Sequence, residues 1–495
     1  MDKSITKGKL LLFLIMVITL YTGFSTYDSH FQADSETLVT GRLRGELENL
    51  PAGKYPLTRY QNIYGNMKDY NVKGYSDDEC LSGYFKKESA FLLPNDYHNK
   101  EIIEKAVSIK DINDKEYKIR DFIKSGNYVR VNLLTDDILT EANNGKIENL
   151  KFIDQTGTPL VSSRLYDYNA QFGLQGIVFL KSAPSNLSFE KYVSKSHKVC
   201  MAILAVILAM ICYLLYAKYN LLLAACFYVT FLTSPWIINF SPNLYWVEFT
   251  WFIPMLIGLW ATTTDISWKY RFAVYATGLL AITIKCLCGY EYISTIILGM
   301  VLFPLIEAYA LWKKQEKETS YKFIRLTIGL CFIGVVGFAI AMAMHGYVRG
   351  DGDIAAGIQS IYQHDVLRRT WNTDINSFGD KFAPSLSASL FTVLGKYLTF
   401  RTTVVLGIPG KLFLCFALSP IVLKIYYWNI HKSVPYGAEV WALYVFSFLA
   451  TVSWLVLAKS HSFVHTHMNY VLWYFGFVQC CLYSMALALK ERLTR

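Results

Sequence analysis

The stretch Met201-Ala-Ile-Leu-Ala-Val-Ile-Leu-Ala-Met-Ile-Cys-Tyr-Leu-Leu-Tyr216 contains no charged residue. It belongs to an apolar run over residues 198–217, which as a helix is long enough to cross a hydrocarbon core of roughly 30 Å. Comparable runs recur to the end of the 495-residue chain, of which 53% is hydrophobic and only 17% is charged. This composition is too apolar for an ordinary soluble protein and predicts an α-helical polytopic membrane protein.

About ten runs are predicted to span the membrane. They are 10–27, 198–217, 220–238, 246–262, 272–288, 292–311, 323–344, 402–427, 439–458 and 468–489. The first is short enough to imitate a secretory signal, but Gly23-Phe-Ser-Thr-Tyr27 offers aromatic bulk in place of a small-residue cleavage site. Residues 1–27 are therefore predicted to be a retained N-terminal anchor, and residues 197–495 a transmembrane bundle.

The basic residues predict the orientation of this bundle. They fall in every second loop, as the positive-inside rule requires: Lys3, Lys7, Lys9, Lys269, Arg271, Lys313, Lys314, Lys317, Lys322, Arg325, Lys432, Lys490, Arg492 and Arg495. Because the net charge of +10 is spread over short loops, it argues against a nucleic-acid partner. Both termini are predicted to be cytoplasmic, and residues 28–196 to lie outside, in a periplasm or its equivalent.

Residues 28–196 are polar and turn-rich. A short helix is predicted over 28–50, and an α+β insertion over 55–196 with strands at Val107–Ile112, Tyr128–Leu134 and Ile147–Ile153. Asn143-Asn-Gly145 is typical of a hairpin turn. In the bundle, the outer loop 345–400 contains an apolar stretch, residues 385–397, which is too short to span and predicts a re-entrant or interfacial helix.

The ionisable residues of the bundle that are candidates for function lie at the predicted outer helix ends or in outer loops. They are Glu248, Lys285, Glu291, His345, Arg349, Arg368, Arg369 and Lys459. A transporter usually carries such residues near the bilayer midplane, so the pattern favours a reactive centre at the outer interface. A lipid-linked phosphate would be bound there by cations at head-group depth, through charge-assisted hydrogen bonds.

The run Phe31-Gln-Ala-Asp-Ser-Glu-Thr-Leu38 follows the anchor closely and supplies candidate bases. In an extended segment Asp34 and Glu36 share a face, whereas in a helix they point about 200° apart and only one would serve. Asp28 lies closer to the membrane. The alternative is that these three carboxylates only solvate the exit of the chain from the bilayer.

Three further groups are candidate substrate contacts. In His461-Ser-Phe-Val-His465-Thr-His467 the first two histidines have the spacing of a metal pair on a helix, but hydrogen bonding to phosphate or sugar, or polar packing, explains them too, and no metal or cofactor is assigned. Arg349, in a glycine-rich turn, is a candidate for phosphate binding, with a solvated loop as the alternative. The pair Arg368-Arg369 is a candidate for phosphate binding or for contact with anionic lipid head groups. Trp246 and Glu248 are candidate acceptor contacts, with an aromatic interface belt as the alternative.

Several runs carry a resemblance to a known family. Residues 27–43, Tyr168-Asn-Ala-Gln-Phe-Gly-Leu-Gln-Gly176 and Ser241-Pro-Asn-Leu-Tyr-Trp-Val-Glu248 resemble bacterial GT-C type membrane glycosyltransferases. The layout is most similar to serotype-converting O-antigen glucosyltransferases of enteric bacteria. The large insertion before the second span departs from the commonest pattern of that family.

The resemblance implies an inverting transfer of a sugar, glucose in these relatives, from undecaprenyl phosphate to O-antigen or another surface glycan. An acidic residue of the first outer loop would be the base, which here means Asp34, Glu36 or Asp28. Arg42, within the first run, is added to the substrate-binding candidates.

Three other functions compete with this interpretation. A transporter or flippase of lipid-linked glycans would carry midplane charges and paired halves, and neither is evident. An O-antigen polymerase would have paired long outer loops between late spans. A receptor would not need ten spans as an anchor.

Overall fold

The computed structural model describes residues 3–47, 50, 53–62, 90–94, 100–110, 115–125, 128–134, 151–160, 163–186, 188–263, 268–370, 378, 383–400 and 402–494. These residues form two compact units, one of Met1–Val39 with Asn169–Arg495 and the other of Thr40–Tyr168. The second unit is narrower than the predicted region 28–196. The predicted turn at residues 143–145 lies outside the described residues.

The larger unit is helical. Its helices are α1 (Lys3–Phe24), α2 (Ala33–Leu47, which ends in the other unit), α4 (Leu174–Lys181), α5 (Phe189–Lys218), α6 (Leu221–Thr233), α7 (Pro235–Phe240), α8 (Phe249–Trp260), α9 (Trp268–Cys288), α10 (Ile293–Lys313), α11 (Lys317–Arg349), α12 (Ile354–Ile361), α13 (Leu367–Arg369), α14 (Ala383–Ser387), α15 (Leu390–Leu398), α16 (Phe413–His431), α17 (Ala438–Leu457), α18 (Lys459–Val464), α19 (Thr466–Asn469) and α20 (Phe477–Thr494). A π-helical turn, Tyr362–Val366, joins α12 to α13, and 3₁₀ turns occupy Gly410–Leu412 and Tyr470–Tyr474.

Six helices of the described chain are long and apolar enough to cross a membrane. They are α5, α9, α10, α11, α17 and the segment Gly410–His431 that ends with α16. The pair Thr466–Tyr474 and Phe477–Thr494 adds a seventh if its 50° bend is one broken span. Three other predicted spans coincide with shorter apolar helices: Gly8–Phe24, Leu221–Thr233 and Phe249–Trp260. The fold is thus consistent with a helical membrane protein, while the count of ten spans is not confirmed.

The predicted span 220–238 is divided at Ser234 and Pro235, near its C-terminal end. Pro235 cannot donate a backbone hydrogen bond, so the helix before it ends at Thr233. The hydroxyl of Ser234 then caps the next helix by accepting a hydrogen bond from Ile237 N at 3.3 Å. The result is two helices, α6 and α7, in place of one.

A buried segment without α-helical backbone lies between α19 and α20. Residues 470–475 are almost completely buried, and the chain leaves them through Gly476, whose φ of 107° suits glycine. The carbonyl of Leu472 accepts from Thr451 Oγ1 at 2.9 Å, and that of Tyr474 from Gln479 Nε2 at 2.6 Å. Such backbone is tolerated at membrane depth only where protein groups satisfy it, so this segment belongs to the interior.

The smaller unit is an α+β domain, as the sequence predicts. Its strands are β1 (Thr58–Asn62), β2 (Ala90–Pro94), β3 (Ala106–Lys110), β4 (Glu116–Ser125), β5 (Tyr128–Leu133), β6 (Lys151–Asp154) and β7 (Ser163–Asp167), with helix α3 (Lys100–Lys105) before β3. An antiparallel sheet has the order β2-β5-β4-β3-β6, and β1 pairs separately with β7. Alternate strand residues such as Ile109, Val131 and Phe152 bury their side chains with Ile102 and Tyr117.

Candidate functional site

The first turn of α2 separates the two principal candidate bases. Because residues 33–47 are helical, Asp34 and Glu36 point to different sides, which is the second of the two geometries considered from the sequence. Asp28 lies in the turn before the helix, where its carboxylate accepts a hydrogen bond from His30 N at 2.9 Å. Its own backbone N donates to Asn239 Oδ1 at 2.9 Å, so Asp28 organises this turn.

The carboxylate of Glu36 contacts two other segments of the chain. Its Oε1 accepts a hydrogen bond from Leu244 N at 2.8 Å and lies 2.9 Å from His197 Nε2. The ring of Tyr27 packs edge-on against the imidazole, with centroids 6.2 Å apart. These contacts tie α2 to α5 and to the turn that precedes α8.

Asp34 is exposed and faces the opposite direction. Its carboxylate lies close enough to the imidazole of His467 to interact with it electrostatically. No side-chain hydrogen bond occupies the Asp34 carboxylate among the described residues, so its oxygens are accessible to a ligand. Of the three candidate bases, Asp34 alone combines this accessibility with a polar neighbour from the far end of the chain.

The three histidines form a row, which we call the imidazole row (His461, His465 and His467). The ring centroids of His461 and His465 are 4.5 Å apart, and those of His465 and His467 are 5.9 Å apart. Within the described part of the chain, Nδ1 of His461 and Nδ1 of His465 are buried without a hydrogen-bond partner. No group of three or more His, Cys, Asp or Glu side chains in the described ranges is placed to hold a metal ion.

Burial and positive neighbours keep the first two imidazoles neutral. Burial lowers the pKa of His461 well below its usual value, and Arg369 adds to this effect. Burial, followed by the neighbouring His467 and Arg369, lowers the pKa of His465 to about 4. Near neutral pH both rings can therefore donate and accept hydrogen bonds without carrying charge.

Next to this row lies the arginine cluster, which we define as Arg349, Arg368 and Arg369 with Asp365 and Glu291. The buried Asp365 pairs with Arg349, with Arg368 at 3.3 Å and with Arg369 at 3.4 Å. Arg369 also bonds Glu291 Oε1 at 3.3 Å. The π-helical turn provides Asp365 to this cluster, and such turns are frequent at functional sites. Among the described residues, the cluster thus brings three guanidinium groups to two carboxylates.

Three of the predicted substrate-binding residues, Lys285, His345 and Lys459, instead form hydrogen bonds with backbone groups of the protein. Lys285 Nζ donates to the carbonyls of Gly289, at 2.6 Å, and Glu291. His345 accepts from Phe172 N at 2.7 Å and, through Nε2, bonds the carbonyl of Cys286 at 2.8 Å.

Lys459 is engaged in the same way. Its Nζ donates to the carbonyls of Leu386 at 2.7 Å and Ala388 at 2.8 Å. All three side chains are buried, so they satisfy backbone at helix ends rather than facing solvent.

Three further candidates, Trp246, Glu248 and Arg42, have other partners or none among the described residues. Trp246 is buried and stacks on Tyr292 with ring centroids 6.0 Å apart. Glu248 is fully buried, and neither carboxylate oxygen has a partner within the described residues. Arg42 belongs to the smaller unit and pairs with Glu46 at 3.0 Å.

Sequence reasoning missed Asp365, His197 and Gln171. Gln171 Nε2 donates to Glu291 Oε1 at 3.2 Å, and this glutamine lies in the run 168–176 that carried part of the resemblance. His197 directly precedes the predicted span 198–217, and an ionisable residue at that boundary is a usable signal. Asp365 has no such signal, because only the π-helical turn brings it to three arginines.

Comparison with known proteins gives no match to a protein-family model, a curated protein or a solved structure.

Proposed function

We propose that this chain is an inverting membrane glycosyltransferase. It takes a sugar, glucose by the resemblance, from an undecaprenyl-phosphate donor and transfers it to O-antigen or another surface glycan on the periplasmic face of a bacterial inner membrane. The observation that carries the proposal is that the exposed Asp34 interacts electrostatically with His467, the last member of the imidazole row, and that this row interacts in turn with the arginine cluster. An accessible carboxylate, neutral hydrogen-bonding groups and cations thereby meet at the ends of apolar helices.

Each of these groups has a role in such a transfer. Asp34 takes the proton of the acceptor hydroxyl while that oxygen forms a bond to the anomeric carbon of the donor sugar. The bond between that carbon and the phosphate oxygen breaks, and the lipid phosphate leaves with the electron pair. Positioned proton transfer of this kind typically contributes 10²–10⁴-fold in rate.

The other groups serve the leaving phosphate and the sugar. The guanidinium groups of the arginine cluster stabilise the phosphate as its negative charge increases. Neutral His461 and His465 are suited to the hydroxyl groups of a sugar, because each has a ring nitrogen without a hydrogen-bond partner among the described residues. A neutral ring also adds no further charge beside the arginines.

The test compares purified wild-type protein with three variants. Each is supplied with radiolabelled undecaprenyl-phosphate glucose and lipid-linked O-antigen. We expect Asp34→Asn to lower the transfer rate by about 10²–10⁴-fold while the unfolding temperature is unchanged, because its carboxylate makes no structural hydrogen bond. Glu36→Gln should mainly lower the unfolding temperature, because Glu36 joins two other segments. Asp28→Asn is the matched control and should keep the wild-type rate.

Two outcomes would contradict this assignment. Transfer by Asp34→Asn at the wild-type rate would show that Asp34 is not the base. Absence of transfer by the folded wild-type protein, with glucose and with other hexoses on the same lipid, would contradict the proposed function. Activity that survives excess EDTA would count against an essential metal at the three histidines.

A further inference from the structure

An open groove of about 780 Å³ lies beside the first half of α5. Helix α4, the turn before α8 and the end of α9 form its other walls. The lining is predominantly apolar and includes Val178, Phe179, Val199, Ile203, Val247 and Phe249. Val178 and Val199 are each about half exposed, at 59% and 48%. The groove therefore presents an exposed apolar surface.

Because α5 is long, the groove beside it extends from the head-group region of a bilayer into the hydrocarbon core. The helix has 30 residues and is about 45 Å long, whereas a hydrocarbon core is roughly 30 Å thick. With its C-terminal end at Lys218 near one boundary, its first ten or so residues extend beyond the other. Lys191 and Lys195 then lie at head-group level, and Ile203 lies in the hydrocarbon.

The polar residues of the groove are at its head-group end. Lys191 and Lys195 line it there, and both are exposed. Neither lysine has an ion-pair partner within the part of the chain that the structure describes. Ser182, Ser188 and Tyr192 add hydroxyl groups beside them. The groove thus has positive charge at one end and an apolar lining along the rest of its length. This arrangement is complementary to an amphiphile with an anionic head group and an apolar chain.

The groove also borders the contact between Glu36 and His197. Ser196 and Cys200 line it on both sides of His197 in the sequence, and Leu244, whose backbone N binds Glu36, lines it too. Glu36 and Asp34 belong to the same first turn of α2 but point to different sides, so a head group at this end of the groove lies on the Glu36 side of that turn.

We infer that this groove is the entry site of the donor lipid, where it binds the isoprenoid chain of a polyprenyl monophosphate and where Lys191 and Lys195 contact the phosphate before the head group reaches the arginine cluster. The inference rests on the proposed function for the choice of a prenyl lipid, and on the groove itself for an anionic head with an apolar chain. The donor would enter laterally from the bilayer between α4 and α5.

Binding of fluorescent undecaprenyl phosphate to the full-length protein in nanodiscs tests the inference. Ile203→Trp places an indole in the groove, and we expect it to weaken binding by at least about tenfold. Lys191→Gln combined with Lys195→Gln should weaken binding about tenfold or more and reduce its dependence on salt. The matched controls are Ile328→Trp, at an exposed position on α11, and Lys198→Gln, an exposed lysine of α5 that does not line the groove; both should bind within about twofold of wild type.

Competition separates the possible occupants. Unlabelled undecaprenyl phosphate should displace the probe, and the uncharged prenol should do so more weakly for wild type than for the double lysine variant. Equal displacement by diacyl phosphatidic acid would overturn the choice of a prenyl lipid. Normal binding by both groove variants would overturn the site, and if Ile203→Trp does not fold, the double lysine variant decides.

The outcomes also separate this inference from the proposed function. Groove-dependent lipid binding without any sugar transfer would leave the lipid site standing and contradict the glycosyltransferase. Sugar transfer at the wild-type rate by both groove variants would contradict the lipid site and leave the glycosyltransferase standing.

Discussion

Lys285, His345 and Lys459 show how a buried polar side chain can serve the backbone. Each was a candidate for substrate binding, and each bonds main-chain groups at a helix end, with donor-acceptor distances of 2.6 Å for Lys285 to Gly289, 2.8 Å for His345 to Cys286 and 2.7 Å for Lys459 to Leu386. An unpaired buried polar group costs free energy, so these bonds stabilise the site's frame. Accessible groups such as Asp34 are left for a ligand.

At the same scale, Asp365 is predicted to be essential for stability. It pairs with three arginines and is 5% exposed, so Asp365→Asn removes the charge that compensates them. We expect a loss of about 3–5 kcal/mol in the free energy of unfolding, measured by denaturation in detergent. The matched control is Asp353→Asn at the N-cap of α12, where asparagine caps equally well. Equal losses in the two variants would contradict the compensating role.

His465 leads to a prediction of pH dependence. Its pKa falls from 6.5 in the ordinary state to about 4 in the fold, so between these values the unfolded chain binds more protons. Stability from the neutral ring is complete above about pH 6.5 and is lost as the pH falls toward 4.

The unfolding temperature measured from pH 7 to pH 4 checks this prediction. We expect His465→Gln to flatten part of the fall seen for wild type in that window. The control His30→Gln, at an exposed ring, should leave the curve unchanged. A wild-type curve that is flat from pH 6.5 to pH 4 would contradict the prediction.

Close helix packing is the main feature at the scale of elements. Helices α8 and α10 approach so closely that a Cβ added to Gly258 would lie 1.7 Å from the carbonyl oxygen of Met300. Small residues permit such approach, which membrane helices use in place of a hydrophobic driving force. The crossing of α8 and α10 therefore requires glycine, which has no side chain, at position 258.

Substitution of two glycines tests this packing. Gly258→Ala should lower the free energy of unfolding by about 1–3 kcal/mol, because the backbone of α10 must move. Gly395→Ala, inside α15, meets nothing within 4 Å and should be neutral or stabilise by up to about 1 kcal/mol. Similar unfolding temperatures for the two variants would show that α8 and α10 are not packed in this way.

At the scale of the whole molecule, the alternating basic loops predict one orientation. If the positive-inside rule holds, Ser185 lies outside and Gln315 lies in the cytoplasm. In a background with Cys80→Ser and Cys415→Ser, we expect a membrane-impermeant maleimide to label Ser185→Cys in intact spheroplasts. Gln315→Cys should react only after the membrane is opened. The reverse pattern would place the candidate site on the cytoplasmic side and contradict the proposed function.

Part of the candidate site could be predicted because it depends on short-range signals. The imidazole row follows from spacing within seven residues, and the acidic turn follows from its distance to the first apolar run. The partners of these residues could not be predicted in the same way. Asp34 interacts electrostatically with His467, and Glu36 contacts His197, across sequence separations over which hydrophobic periodicity carries no information.

The sequence by itself determined the helical class, the position of the apolar helices and the α+β character of the insertion. These properties depend on hydropathy and on local backbone preference, which are readable over ten to twenty residues. Only the tertiary structure decided which cations are engaged by carbonyls, which carboxylate of α2 is accessible, and where an apolar groove lies open. These features depend on which distant side chains meet, because the free energy of a buried charge or an open surface depends on its neighbours in space.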